Sequence, residues 1–394
     1  MTITLPKADW AARADLPALI AALGAQDCRY VGGCVRDGLL GVPAYDVDIA
    51  TRHLPQDVCA RLEEAGIRSV PTGIDHGTVT AILPEGPVEI TTLRRDVETD
   101  GRRATIAFAN AWEDDAARRD FTINALYAHP DTLEIDDYFG GLSDLDARRV
   151  RFIGDARERI REDHLRILRY FRFQARFGAE PDDEAIAACR DLASTLKGLS
   201  RERVAGELLS ILKLPDPAPV CELMAQLGVL PVILPEVEDE GIAALADLVA
   251  QEKAQGVEAD PIRRLAALLP PDKVTAEQVA SRLRLSNAQR KRIGIAASRE
   301  ASDAEDPRAL AYRLSPESAC DRLLLLGESI APVTGWDVPR LPISGGDILA
   351  AGIDKGPLIA RTLRAVESRW IEEGFPGEDR VRAMMVEEVA RATG

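Results

Sequence analysis

The chain has 394 residues, 46% of them apolar and 29% charged, and 49 Lys and Arg stand against 65 Asp and Glu for a formal net charge of −16. At roughly 150 residues per domain, that length gives two or three domains with sizeable cores, and the composition excludes disorder and fibrous repeats. No apolar run reaches the roughly 18 residues that span a bilayer. Lys7, Asp9, Arg13 and Asp15 interrupt the apolar N-terminal stretch, so neither a signal peptide nor a membrane partner is expected. In chain order, β-type runs fall at Arg29 to Val31, Val47 to Ala50, Thr78 to Leu83, Val88 to Leu93, Ala104 to Phe108 and Thr132 to Asp136, which makes residues 1–150 an α/β head. From about Asp155 the pattern is helical almost throughout, with apolar residues three and four apart, and the expected boundaries near 150 and 212 divide it into residues 151–212 and 213–394.

Cys28, Cys34, Cys59, Cys189, Cys221 and Cys320 form no CxxC pair and no zinc spacing, so they read as reduced, packed thiols of a cytoplasmic protein. The four histidines end at His164, which excludes a His-based metal site beyond it. Charge is distributed unevenly. Between Arg148 and Arg176 ten arginines face four acids, a net of +6, which reads either as a strip that focuses a polyanion or as a solvated helix face.

Gly32 and Gly33 stand where a β-type run turns into a helix over Val35 to Leu40, a place where backbone N–H groups can approach a phosphate, with Arg36 in reach of the same anion. A double glycine alone is ordinarily a turn. Next comes Asp46-Val-Asp48. In a strand, residues two apart share a face, and two carboxylates about 4 Å apart repel by roughly 4 kcal/mol at a surface-like dielectric, which a divalent cation turns into attraction. Glu89, in the alternating run Val88 to Leu93, supplies a third acid among apolar neighbours and is expected to point inward with the other two. Such a cluster beside a glycine turn suits metal-assisted phosphoryl or nucleotidyl transfer. In the helix-like segment Arg118 to Ala125, Arg119 is a candidate for a triphosphate and Asn124 for a sugar or carboxylate, while Asp120 reads as a cap.

Asp163, Arg166, Arg169 and Arg172 step along one helix at i+3, beside a buried stripe of Ile160, Ile167, Leu168 and Phe171. An acceptor beside a donor fork selects bases. Cytosine and adenine each offer an amino donor next to a ring-nitrogen acceptor, whereas uracil and guanine offer the reverse, so Asp163 and Arg166 together take C or A, with about 1–3 kcal/mol of discrimination per pair. An i,i+3 salt bridge on a helix surface is the plain alternative.

Taken in order, GGCVRDGLLG, DVDIA, VEITTLRRD, TDGRRATIAF, RRDFTINAL, DYFGGLSDL, VRFIGDARERIREDHLRILRYFRF and SRERVAGEL resemble the successive motifs of class II tRNA nucleotidyltransferases and bacterial poly(A) polymerases, densely over residues 30–210. The resemblance implies a polymerase-beta-like nucleotidyltransferase head with a mixed sheet, a helical neck that reads the incoming base, and a helical body and tail that hold the acceptor arm and 3′ end of tRNA. It implies Mg²⁺ on Asp46 and Asp48, and a triphosphate of CTP or ATP contacted by Gly33, Arg36 and Arg119, beside the nucleotide-binding candidates Gly32 and Asn124 read from the residues above. Asp163 and Arg166 would read the base, supported by Arg169 and Arg172, and Glu89 would help activate the terminal 3′-hydroxyl. Ser200, Arg201, Glu202 and Glu207 match a motif that braces the neck. Asp96 to Arg103 resembles the loop of complete and A-adding enzymes, and the acidic C-terminal part differs from the basic extensions of poly(A) polymerases. Complete CCA addition therefore leads; A-only addition, poly(A) synthesis and a noncatalytic tRNA-binding protein are the alternatives.

Overall fold

The computed structural model describes residues 3–44, 46–74, 77–100, 103–354 and 356–393, and the chain divides into two compact units, Met1–Pro235 and Glu236–Gly394. The first unit begins with α1 (Leu16–Leu23), β1 (Cys28–Val31), α2 (Gly33–Leu39), β2 (Val47–Thr51), α3 (Pro55–Glu64), β3 (Ser69–Gly73), β4 (Thr78–Leu83) and β5 (Gly86–Thr92). It continues with β6 (Arg94–Asp100), β7 (Arg103–Phe108), α4 (Trp112–Ala117), β8 (Leu126–Ala128), β9 (Ile135–Asp137) and α5 (Gly141–Asp146). Seven strands form one mixed sheet in the order β3-β4-β5-β2-β1-β8-β9, in which β2 and β5 run parallel and the other neighbours antiparallel. A separate antiparallel ribbon is made by β6 and β7.

The head is α/β with a mixed sheet, as its runs of β-branched residues foretell, but three strands escape that reading. Pro71 breaks the pattern of β3, which is tolerated because β3 is the sheet edge, where a missing N–H costs no ladder bond. The ribbon strand β6 is charged along its length. And the expected helix over Arg118 to Ala125 is a short 3-10 turn, Thr122–Asn124, that feeds straight into β8. Phe121 pairs instead with Phe152, and its ring lies 4.9 Å from Phe152 and 5.1 Å from Phe173, so tertiary packing overrides local helix preference.

Helices follow: α6 (Ala156–Glu162), α7 (Arg166–Phe177), α8 (Asp183–Leu192), α9 (Arg201–Leu212), α10 (Ala218–Gln226) and α11 (Leu230–Ile233). The expected stripe Ile160, Ile167, Leu168 and Phe171 is fully buried. The continuous helix expected through Asp163 is not observed. Asp163 is extended (φ −150, ψ 105), its Oδ1 accepts from the Leu165 N–H at 3.1 Å and its carbonyl from Arg166 N at 2.9 Å, so this residue ends α6 and seats α7.

The secondary structure described in the second unit is helical: α12 (Asp239–Ala254), α13 (Pro261–Leu268), α14 (Lys273–Arg282), α15 (Asn287–Ala297), α16 (Pro307–Arg313), α17 (Pro316–Leu325), α18 (Gly345–Ala350), α19 (Gly356–Glu372) and α20 (Glu378–Thr393). Asp260, Asp272, Ser286, Asp306 and Ser315 cap five of these helices with side-chain oxygens. Arg282 is paired with Glu236, and Arg292 with Asp321 and Asp260. A buried ion network holds α12, α13 and α17 together: Glu252 accepts from Arg263 and Arg264, each at 2.8 Å, and Asp321 accepts from Arg263 at 3.2 Å. Glu252→Ala removes the buried carboxylate shared by Arg263 and Arg264 and is expected to destabilise this unit by about 3–5 kcal/mol, read as a lowered urea midpoint. No helix among the described residues is long and apolar enough to cross a membrane.

Candidate active site

The parallel pairing of β2 with β5 places Asp48 directly opposite Glu89. In β5 the alternation sends Val88 and Ile90 into the core and leaves Glu89 exposed. The carboxylates therefore stand on the open face of the sheet; the inward orientation expected from the apolar neighbours of Glu89 is corrected. Asp48 is half-buried and Asp46, one residue ahead of β2, is exposed. Burial, then the charge of Glu89, pushes the Asp48 carboxyl up to about 6 against the pull of Arg119, and Asp46 adds to the rise. Among the described residues no group of three His, Cys, Asp or Glu side chains is gathered closely enough to hold a metal by itself. Oxygen donors that repel one another suit a hard divalent cation, and Mg²⁺ is commonly held by one or two carboxylates with the rest of its shell from phosphates and water. The residues fit that group.

The guanidinium of Arg119 that acts on Asp48 also meets the glycine turn. Gly32 adopts φ +75 between β1 and α2, and a Cβ there would lie 3.6 Å from Arg119 Nη1, so the turn and this guanidinium face each other. Arg119 is held from behind: its Nε donates to the Tyr127 hydroxyl at 3.0 Å and its Nη2 to Asp115 at 3.1 Å. Asp115, which no local motif singles out because its partners are set by the fold, is fully buried and also accepts from Arg118 and from the Tyr127 hydroxyl. Burial pushes its carboxyl up, but Arg119 and Arg118 outweigh that and hold it down at about 2. A depressed acid adds stability above its unfolded value that is lost as pH falls through the folded one. Asp115→Asn is thus expected to cost about 2 kcal/mol at neutral pH, a gap that closes as denaturation is followed from pH 5 toward pH 2.

Arg36 and Asn124 take a different place from the one their motifs foretell. Arg36 is buried, stacked 4.3 Å from the Phe177 ring and bonded to Asp37 at 2.9 Å. Its Nη1 donates to Asn124 Oδ1 at 2.5 Å, and Asn124 Nδ2 donates to Asp120 at 3.0 Å. Asn124 is buried and bridges Arg36 to Asp120, and Arg36 Nη2 lies 3.8 Å from the Cβ position of Gly33. Asp120, read as a cap, also receives Arg169 at 2.8 and 2.5 Å.

On the neck, Arg166 donates to Glu162, to the Arg159 carbonyl at 2.9 Å and to the Arg118 carbonyl at 3.1 Å. Arg172 pairs with Glu207 at 2.7 Å, so the brace expected of Glu207 is present. Asp163 receives Arg203 at 2.6 Å, a contact across forty residues of sequence that no local spacing announces. Eight of the ten arginines of the basic strip, Arg149, Arg151, Arg157, Arg159, Arg166, Arg169, Arg172 and Arg176, pair with carboxylates. The tip of the Asp96 to Arg103 loop, Gly101 and Arg102, lies outside the described residues.

A mixed sheet carrying paired acids beside a glycine turn, followed by helices, is the architecture of a nucleotidyltransferase. Residues 28–151 match the family model described as the poly A polymerase head domain, and residues 179–240 the one described as a probable RNA and SrmB-binding site of polymerase A. The mitochondrial CCA tRNA nucleotidyltransferase 1 of Homo sapiens is 36% identical over 377 residues, covering 89% of this chain and 84% of its own length. A CCA-adding enzyme of Streptococcus pneumoniae is 42% identical over 191 residues, 48% of this chain and 47% of that one. In structure the chain is similar to the Bacillus stearothermophilus CCA-adding enzyme, solved in complex with CTP, with a TM-score of 0.75 and 26% identity over 96% of this chain and 98% of that one. The Thermotoga maritima CCA-adding enzyme, solved with tRNA, shares the fold with a TM-score of 0.71 at 21% identity, over 96% of this chain and 95% of that one. The chain belongs to the CCA tRNA nucleotidyltransferase family and is an enzyme of nucleotidyl transfer.

Proposed function

We propose that this enzyme adds C, C and A to the 3′ end of tRNA from CTP and ATP, without a template and with release of pyrophosphate. The observation that carries the reading is the Asp48 and Glu89 pair, in register on the open face of the sheet, with Asp46 beside it and the Arg119 charge acting on the same carboxylate. Asp46 and Asp48 would hold Mg²⁺, which when bound neutralises triphosphate charge and acidifies the attacking 3′-hydroxyl. To Glu89 we assign help in taking that proton. Arg119, with the turn at Gly32 and Gly33, orients the triphosphate, and Arg36 and Asn124 act beneath that turn by holding its shape. On the neck, Asp163 accepts the amino group of C or A while Arg166 donates to the ring nitrogen; Arg169 and Arg172 fix the helix through Asp120 and Glu207. In this division residues 1–150 perform transfer, 151–212 read the base and 213–394 hold the acceptor arm. A reducing compartment such as the cytoplasm suits the six unpaired cysteines.

The retained acids disfavour a noncatalytic tRNA clamp. Against poly(A) synthesis stands the acidic balance of the chain. The two are separated by ATP alone with a tRNA ending in CC: addition is expected to stop after one A, and a lengthening ladder of A residues would replace the CCA reading.

A further inference from the structure

Asp163 is held on both oxygens. Leu165 N–H donates to Oδ1 at 3.1 Å, and Arg203 Nη2, from α9, donates to Oδ2 at 2.6 Å. An ionised carboxylate offers about four lone-pair sites, so these two bonds leave acceptor capacity, and with 27% of its side-chain surface exposed Asp163 is open to a partner from solvent. The terminal torsion of an aspartate is broad, without a steep staggered well. One backbone tether does not fix the carboxylate plane; a second donor on the other oxygen does. One turn further along α9, Glu207 receives Arg172 at 2.7 Å, and Val204, Ala205 and Leu208 of the same helix are buried. The attachment of α9 to α7 therefore does not depend on Arg203.

We propose that Arg203 is a positioning residue that sets base specificity, by locking the Asp163 carboxylate in the plane from which it accepts the amino group of C or A beside the Arg166 donors. This rests on Asp163 as base reader. Discrimination against U and G requires acceptor and donor side by side at fixed spacing. A carboxylate free to turn accepts from displaced edges too, and the wrong bases gain more than the right ones lose.

The test is the ratio of kcat/KM for CTP over UTP on tRNA ending at the discriminator base, and for ATP over GTP on tRNA ending in CC, measured with the full chain. In Arg203→Met both ratios are expected to fall about tenfold or more, and Arg203→Lys, which keeps the charge without the planar fork, to fall between. Each ratio is internal to one preparation, so partly unfolded protein cancels, and the lysine variant serves if the methionine one does not fold. Equal slowing with all four nucleotides, or unchanged ratios, would overturn the inference. Asp163→Asn run alongside separates the two levels: an altered ratio there with unchanged ratios at Arg203 removes the positioning role alone, whereas an unaltered ratio there removes the base-reading assignment on which it stands.

Discussion

Asp48→Asn is expected to lower nucleotide incorporation by about a thousandfold or more, since metal-held charge stabilisation contributes several kcal/mol and each 1.4 kcal/mol is about tenfold in rate. The same change should stabilise the protein measured without divalent cation. Asp48 has its carboxyl raised from 3.8 to about 6, chiefly by burial and by Glu89, so the folded state binds a proton more readily than the unfolded chain. Its ionisation therefore opposes folding: the penalty is absent below the unfolded value, grows as pH rises through about 6 and is complete above it. Because the site is partly open to solvent, about 1–2 kcal/mol of stabilisation is expected at neutral pH, vanishing near pH 4. Denaturant melts of the two proteins across that range check it. A variant both inactive and more stable is the mark of acids kept for chemistry rather than for the fold.

Asp163→Asn is expected to erase most of the preference for C over U and for A over G, by about ten- to hundredfold in each ratio. Leu165 N–H and Arg203 both present donors to this side chain. A carboxylate accepts both and still has lone pairs for the base; an amide has one oxygen for the two and turns its NH₂ toward a second donor or toward the base. Facing the base, that NH₂ suits the carbonyls of U and G. Competition between paired nucleotides in one reaction, read by the identity of the added residue, checks it, and incorporation of C or A at the wild-type ratio would speak against Asp163 as reader.

Much of the site is legible in the sequence because it is local. The spacing of Asp46 and Asp48, the glycine turn and Arg119 each belong to a short motif, and Glu89 follows from an alternating strand. The direction of Glu89 is legible in the same alternation, since burial of the apolar Val88 and Ile90 on one side of β5 consigns it to the other, against the inward placement expected of it. The i+3 steps through Asp163 read as one helix, yet the side-chain bond from Asp163 to Leu165 N–H favours a break that periodicity cannot register. Contacts set by tertiary packing are out of reach altogether: Arg203 with Asp163, Asp115 with Arg119, and the Arg36 to Asn124 to Asp120 bridge. Several pairings of the basic strip are out of reach for the same reason, because the carboxylate comes from another element, as Asp37 does for Arg176 and Asp191 for Arg157.

The most direct measurement is labelled-nucleotide incorporation with Mg²⁺ into tRNA ending at the discriminator base, with each of the four nucleotides supplied alone and CTP and ATP supplied together. The expected result is C incorporation from CTP alone, none from UTP or GTP, and a 3′ end completed as C, C, A when both substrates are present. Absence of C addition, with ATP used only on a tRNA already ending in CC, would contradict complete CCA addition and make the enzyme an A-adding one; no incorporation on either tRNA would contradict the enzymatic account itself.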